Sequence, residues 1–426
     1  MWCLLVLCMT AWQAPPLSGS GGQAEQGQPL PRYELEAEIR VRAESRNGAG
    51  ENAAREDGFA ISRLRMDMTF RPHKDVTIFL QPQDSRVAGL APWRNRRSAR
   101  DTLDFRQAYA AFGSESGPWT LYVGRREQGF EDQRLLGQRN WHNISPTWDG
   151  SSLTLRRGED ELHLLACSQV EVLDGFNAPS RTRFVYGAYG SIKSWLPGHE
   201  VEPFFLTTRR PVDRASNLGG LLRTAGSRIS GSWGQGWDYQ VMLAAQGGGE
   251  GASPHRAWAG AWGIRRALDK APARPRIGVE WSYASGDGDP FDGRTGTFDT
   301  LFPSPHRIYG EQDVIGLRNA RILKAGVELR PRKELSVAVD FLDLRLASRR
   351  DGLYRINFTQ GIAAPPGGAA SDSIGSELDL VVLYRPASKI QLRFGVSRFF
   401  AGPFVTRNLP GGESQTMLLT ELLIRL

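Results

Sequence analysis

The chain has 426 residues and a formal charge of +7, with 40% hydrophobic residues and a mean hydropathy of −0.38. Its 48 Gly, 12 Trp and 19 Phe suit many short strands and turns better than packed helices. No stretch after residue 12 is apolar for long enough to span a bilayer as a helix, so the chain is soluble or crosses a membrane as a barrel.

The basic residues are almost all arginine. Lys occurs only at 74, 193, 270, 324, 333 and 389, which leaves 47 of the 53 as Arg. The planar, bidentate guanidinium suits carboxylate and phosphate, so an anionic partner is the natural reading. A GC-rich genome would produce the same total, so arginine points to an anionic partner chiefly where several align on one strand face. Cys3 and Cys8 lie in the N-terminal apolar block and Cys167 is then alone, which predicts no internal disulfide in the mature chain. Residues 2–12, WCLLVLCMTAW, followed by PPLSGSGGQAEQ, resemble a secretory signal without the usual leading Lys or Arg. The expected organisation is a signal peptide over 1–24 and one domain over 25–426.

From Tyr33 the pattern alternates strictly. Leu35, Ala37, Ile39 and Val41 share one face, and Glu34, Glu36, Glu38, Arg40 and Arg42 the other. Leu64, Met66, Met68 and Phe70 then oppose Arg63, Arg65, Asp67 and Arg71, and a tight turn at 72–74 leads into a partner strand over 75–81. Similar runs follow at about 103–112, 118–126, 150–157, 160–170, 182–193, 200–209, 220–232 and 237–247. The series continues at 256–267, 275–285, 319–331, 334–347, 374–385, 388–400 and 415–426. With a short piece at 130–136 there are about nineteen candidates, consistent with eighteen strands and one loop segment.

Connections alternate in length: those at 157–159, 331–333 and 386–388 are tight, whereas 86–102, 137–149, 286–318, 348–373 and 401–414 are long. Short turns at one end, long loops at the other and strands of roughly ten residues with one apolar face are what an outer-membrane barrel requires. Closure also removes the unpaired sheet edge that lipid would not tolerate. A soluble sandwich shows the same alternation, with its charged face in water. The number of strands, and Trp119, Trp233, Trp237, Phe341 and Phe399 placed near strand ends as an interface girdle, favour the barrel.

The longest connection follows a strand ending at Trp281 and Tyr283, and it mixes Asp287, Asp289, Asp292 and Asp299 with Phe291, Phe298, Phe302 and Tyr309. Such a loop reads as ordered and functional rather than as a linker. Asp287, Asp289 and Asp292 offer carboxylates for calcium, but a helical-hand loop would need Gly where Asp292 stands and Glu where Phe298 stands. Otherwise they are turn formers. The six histidines have no ligand spacing, and no phosphate loop, nucleophile elbow or dinucleotide fingerprint is present. Arginines spread over alternating strand faces do not make a nucleic-acid reader.

Several stretches resemble the bacterial alginate-export outer-membrane proteins. The strongest are SGDGDPFDGRTGTFDTLFPSPHRIYG with Asp313 and Asn319 after it, and LYVGRREQGFEDQRLLGQRNWHNISPTWDG at 121–150. Weaker matches are FRQAY at 105–109, RTAGSRISGSWGQGWDYQVMLAAQ at 223–246, DFLDLRLASRRDGLY at 340–354 and GSELDLVVLYRP at 375–386. The block Gly124-Arg125-Arg126-Glu127 departs from the polar amide expected after the first Arg, and the chain ends in Leu426 rather than an aromatic.

The resemblance implies an all-β transmembrane barrel of eighteen antiparallel strands with short periplasmic turns and long extracellular loops. It also implies a positive constriction that passes an alginate-like polyuronate to the cell surface. If the apolar faces meet lipid, Arg40, Arg42, Arg63, Arg65, Arg106, Arg125, Arg126 and Arg134 point into the lumen as substrate sites. Asp104, Asp132, Asp149, Glu377 and Asp379 would steady them and moderate their grip. Each such residue can equally be a solvated lumen group in a mutual ion pair. The expected partners are the polysaccharide, outer-membrane lipid and periplasmic export proteins, around a monomer with no catalytic residue and no cofactor besides candidate calcium. Two alternatives stay open: a general or uptake porin for small anions or oligouronates, and a secreted β-rich enzyme acting on acidic glycans.

Overall fold

A computed structural model describes residues 32–47, 57–89, 99–212, 219–249, 254–304, 306, 308–355 and 360–426. The signal peptide expected over 1–24 lies outside them. Twenty strands and one short helix are present among these residues. The first ten are β1 (Tyr33–Asn47), β2 (Asp57–His73), β3 (Val76–Ala88), β4 (Asp101–Phe112), β5 (Trp119–Arg126), β6 (Trp148–Arg157), β7 (Asp160–Glu171), β8 (Ala178–Ser191), β9 (His199–Arg210) and β10 (Gly220–Trp233). They are followed by β11 (Trp237–Gly248), β12 (His255–Ala267), β13 (Arg276–Ala284), β14 (Ala320–Arg332), β15 (Leu335–Leu346), β16 (Leu353–Tyr354) and β17 (Gln360–Ile362). The last are β18 (Ser373–Ala387), β19 (Ile390–Ala401), α1 (Pro403–Asn408) and β20 (Gln415–Arg425).

Eighteen of these strands form one antiparallel sheet in which each pairs with its neighbours in sequence, and β1 pairs with β20 from Glu38↔Arg425 to Asn47↔Thr416. The sheet is therefore closed, and no edge is left to pair with another chain. β16 and β17 form a small hairpin in the connection between β15 and β18, outside the barrel wall. No helix among the described residues is long and apolar enough to cross a membrane.

Period-two patterning decides which way each side chain points. In β1, Leu35, Ile39 and Val41 are 67%, 38% and 45% exposed, while Arg40, Arg42 and Glu44 are buried. The same division runs around the barrel: Leu64, Val123, Leu164, Leu243, Val279, Leu380 and Val396 all face outward and exposed. A charged interior inside an apolar exterior is the inverse of a soluble protein and suits a lipid-facing wall. Aromatic pairs mark both rims: Tyr33 stacks on Phe70 and Trp233 on Trp237 at the short-turn end, and Trp258 stacks on Tyr283 at 4.4 Å at the long-loop end.

The loop segment expected among the nineteen candidates is the piece at 130–136, which lies in the β5–β6 connection. Two expectations change here. Phe399 is 2% exposed and packs inside, because its neighbour Phe400 takes the outward position, and Phe341 is outward but stands in mid-strand. Arg125 follows Val123 on the outward face, and Asp149 shares that of Leu153 and Leu155, so neither points into the lumen. The long connection over 401–414 contains helix α1, in which Pro403 supplies the first turn and Phe404 buries against the β18–β19 wall.

Candidate pore and its inward loops

The inward arginines begin as a problem of like charge. Arg40 on β1 stands directly opposite Arg63 on β2, and Arg65 follows two positions away on the same face. Like charges opposed across a strand pair are destabilising. Arg106 joins them because β4 carries a bulge: Gln81 faces Gln107 and Pro82 faces Phe105, so Arg106 has no opposite number and turns inward beside Gln107. Arg40, Arg42, Arg63, Arg65 and Arg106 are all 5% exposed or less.

Acids balance part of this charge. Glu38 meets Arg63 at 2.6 Å, Glu44 meets Arg42 at 2.9 Å, Glu127 meets Arg106 at 2.5 Å, and Glu421 lies 4.0 Å from Arg40. Arg65 Nε and Arg106 Nη1 donate to Gln83 and Gln81 of the wall, and further donors go to the β5–β6 loop, residues 127–147, which folds into the barrel. Arg40 donates to the carbonyls of Asn140 at 2.8 Å and His142 at 3.0 Å, and Arg42 donates to that of Trp141 at 2.6 Å. Arg63 reaches the carbonyls of Asn140 and His142 at 3.2 Å, and Arg65 the side chains of Asn140 and Ser145 at 3.0 Å. Guanidinium groups aimed inward thus grip a backbone rather than open water.

A second inward loop, residues 285–319 between β13 and β14, is held by the opposite chemistry. Glu377 and Asp379, inward on β18 and almost fully buried, accept backbone N–H groups of Gln312 at 2.9 Å and Glu311 at 3.2 Å. Arg393 on β19 pairs with Glu311, and Gln415 on β20 donates to the Gln312 side chain at 2.7 Å. The approach is close enough that Gly310, at φ +103°, has no room for a Cβ, which would stand 2.5 Å from Glu377 Oε1. At the loop's base Arg318 and Arg210 both pair with the buried Asp299.

The two loops meet in mid-lumen. Phe302 donates to the Leu135 carbonyl and accepts from Gly137, each at 2.9 Å, and Ser304 donates to Gln133 at 2.8 Å. Leu135, Leu136, Trp148, Phe298, Leu301, Phe302, Ile308 and Leu317 bury together as a core inside the barrel. Arg134, 1% exposed, crosses this junction: it contacts Asp132 at 2.5 Å, Glu280 at 2.7 Å, Tyr309 Oη at 2.9 Å and Ser282 at 3.1 Å. Burial would lower its pKa, but Asp132 and Glu280 raise it well above the ordinary value. From Glu280 the network continues to Gln240 at 2.8 Å, then to Arg228 and Glu202 on the far wall.

A second clasp joins the loops nearer β1. The indole of Trp141 lies parallel to the imidazole of His306 with centroids 3.7 Å apart, and the Arg42 guanidinium is also 3.7 Å from that indole. His306 faces Asp313 at 3.1 Å and Glu311 at 3.5 Å. Burial presses its pKa down, yet the two carboxylates raise it above the ordinary 6.5. Glu44, His142, Arg139, Arg40, Arg42 and Arg393 supply the other charges and titratable groups nearby. Because the pairing raises the folded-state value, its contribution is full below pH 6.5 and is lost as pH rises through the raised value. Channel openings in planar bilayers are therefore expected to become more frequent above neutral pH, and His306→Gln should abolish that dependence. A pH profile identical in both proteins would refute the clasp.

Arg126 is inward, its guanidinium 3.8 Å over the Tyr122 ring and its Nη1 3.4 Å from Ser152 Oγ. Arg125 pairs with Asp149 at 2.8 Å and donates to the Phe105 carbonyl at 3.1 Å. That carbonyl lies where β4 has lost β5 as a partner, since their pairing ends at Ala108↔Arg125. Asp104 accepts the Asn177 N–H at 2.6 Å beside this cluster. Asp287, Asp289 and Asp292 accept the backbone N–H groups of Asp289, Phe291 and Arg294, as turn-forming aspartates do. No group of three potential metal-ligating side chains occurs among the described residues.

Sequence reasoning missed Arg393, Glu421, Arg228 and Glu280, although the alternation rule places each inward. It also missed Trp141, His306 and Glu311, which belong to loops and carry no periodic signal.

A closed eighteen-stranded antiparallel barrel with an apolar exterior and a charged, loop-filled lumen defines an outer-membrane channel of the porin class. The chain belongs to the alginate-export family: the family model described as alginate export matches residues 32–416. Among solved structures it is similar to OccK11 (OpdR) of Pseudomonas aeruginosa, with a TM-score of 0.62 at 12% identity over 92% of this chain and 96% of that one. OccAB4 of Acinetobacter baumannii gives 0.62 at 10% identity, covering 94% and 100%. OpdK of P. aeruginosa, solved with vanillate, gives 0.61 at 11% identity, covering 92% and 99%. At these identities the likeness is one of fold. No curated protein matches the chain. Family and fold together place it in the bacterial outer membrane.

Proposed function

We propose that the protein passes an acidic polysaccharide of the polyuronate type, with the inward arginines as carboxylate sites and the β5–β6 loop as the occupant that the polymer displaces. The observation that carries this reading is the set of contacts from Arg40, Arg42 and Arg63 to the carbonyls of residues 140–142. Carbonyl oxygens spaced along a backbone present the same acceptors as carboxylates spaced along a polymer. A carbonyl offers a guanidinium one oxygen with a partial charge, whereas a carboxylate offers a full charge and two oxygens that match the guanidinium fork bidentately. An entering carboxylate therefore competes favourably with a carbonyl for the same guanidinium. Glu38, Glu44 and Glu421 temper the binding so that the polymer can leave.

Planar-bilayer recording tests this. The expected result is anion-selective conductance blocked by polyuronate, with block weakened by Arg40→Gln combined with Arg63→Gln. Cation selectivity, or conductance indifferent to polyuronate, would sink it. Liposome swelling with graded neutral and anionic sugars separates polymer passage from the small-anion alternative: swelling by small uronates without polymer block would favour the latter.

A further inference from the structure

On the outer surface of the barrel, at the long-loop end, one sector carries cations where the wall below it is apolar. Arg223 lies between inward Leu222 and Thr224 on β10, and Arg256 between inward His255 and Ala257 on β12, so both point away from the lumen and are exposed. Arg209, next to inward Thr208 on β9, shares their face. The register brings them together: Arg223 and Arg256 both pair with Gly247 of the intervening β11, and Arg209 stands opposite Leu221, two positions from Arg223. Two strand spacings put the Arg223 and Arg256 backbones roughly 10 Å apart. Gly247 leaves no side chain between them, and a Cβ there would meet only the His255 carbonyl at 3.9 Å.

Some outward arginines of the rim carry a counter-charge and others do not. Further round, outward Arg321 pairs with Asp372 and Arg345 with Asp343. Arg223 and Arg256 form no ion pair among the described residues. One outward position closer to mid-barrel on β12 is Trp258, stacked on Tyr283, and Phe205 on β9 is 50% exposed, so the arginines stand just beyond the aromatic band. That is the depth of lipid headgroups.

We infer that Arg223 and Arg256, with Arg209 beside them, form a docking sector for phosphate-bearing lipid headgroups of the outer leaflet, the phosphate lying over Gly247 between two guanidinium forks. Native mass spectrometry of the detergent-solubilised barrel, titrated with bis-phosphorylated lipid A, tests it. Retention is expected to be about tenfold or more tighter than for the same lipid dephosphorylated. Arg223→Gln with Arg256→Gln should abolish that difference, and Gly247→Leu, which keeps both charges, should reduce it. Equal retention of the dephosphorylated lipid by the wild type would overturn the inference without recourse to any variant. Equal retention by the double variant, or inorganic phosphate bound as tightly as the lipid, would also overturn it. Heat-modifiable migration checks that the variants fold. The arginines do not line the lumen, so polyuronate block should be unchanged in the double variant, and either proposal can fail without the other.

Discussion

Replacing residues 139–143 by a short glycine link is expected to raise single-channel conductance several-fold and to strengthen anion selectivity. The segment fills the lumen opposite β1 and β2, where its carbonyls and the Asn140 side chain occupy Arg40, Arg42, Arg63 and Arg65. Leaving a buried charged donor with neither partner nor water costs its full desolvation penalty, beyond the about 1.5–3 kcal/mol that such a bond contributes net of exchange with water. Here water substitutes, because removing the loop opens the site to solvent, so the guanidinium groups are rehydrated rather than stranded. The barrel itself rests on its closed backbone ladder, which the deletion does not touch. The variant should therefore keep the faster migration of an unboiled barrel while conducting more. Unchanged conductance would show that the loop does not obstruct the pathway.

Arg134→Met is expected to be the most damaging single substitution in the lumen. It leaves Asp132 and Glu280, 8% and 3% exposed, without their shared cation at the junction of the two loops. Removing one partner of a buried pair costs about 3–5 kcal/mol. Glu280 retains Gln240 at 2.8 Å and Ser282 at 3.2 Å, which offsets part of that. The loss falls on the contact between loops, so local opening should precede any change in the wall. Hydrogen exchange at Gly137, Phe302 and Ser304, the backbone N–H groups bonding the loops, should accelerate far more than exchange in β1 or β13. Arg134→Lys keeps the charge but not the fork and should recover part of the protection. Protection equal to wild type in the methionine variant would remove Arg134 from its role as the link.

The arginine sites also show how a period-two pattern informs and where it stops. For Arg40, Arg42, Arg63 and Arg65 the alternation sufficed to place them inward. For the consecutive pair Arg125 and Arg126 it required that one face out, and outward Arg125 serves the wall by donating to a carbonyl left open where β5 departs. Arg106 faces inward through a bulge, which shifts the phase of one strand and leaves no mark in a residue pattern.

Composition, alternation and the lengths of the connections by themselves marked about nineteen candidate strands with one apolar face and favoured a barrel over a sandwich, while eighteen strands around a positive lumen were what the resemblance implied. Strand patterning is local, since each residue's face follows from its immediate neighbours, and the resemblance added the family from continuous stretches. Only the tertiary structure decided what the interior arginines touch. Their partners lie some hundred positions away, as with Arg40 and Asn143 at a separation of 103, in a loop whose path is set by packing against a second loop. That packing also explains the inward Phe399, apolar on a face expected to be polar, because part of this lumen is a protein core rather than water.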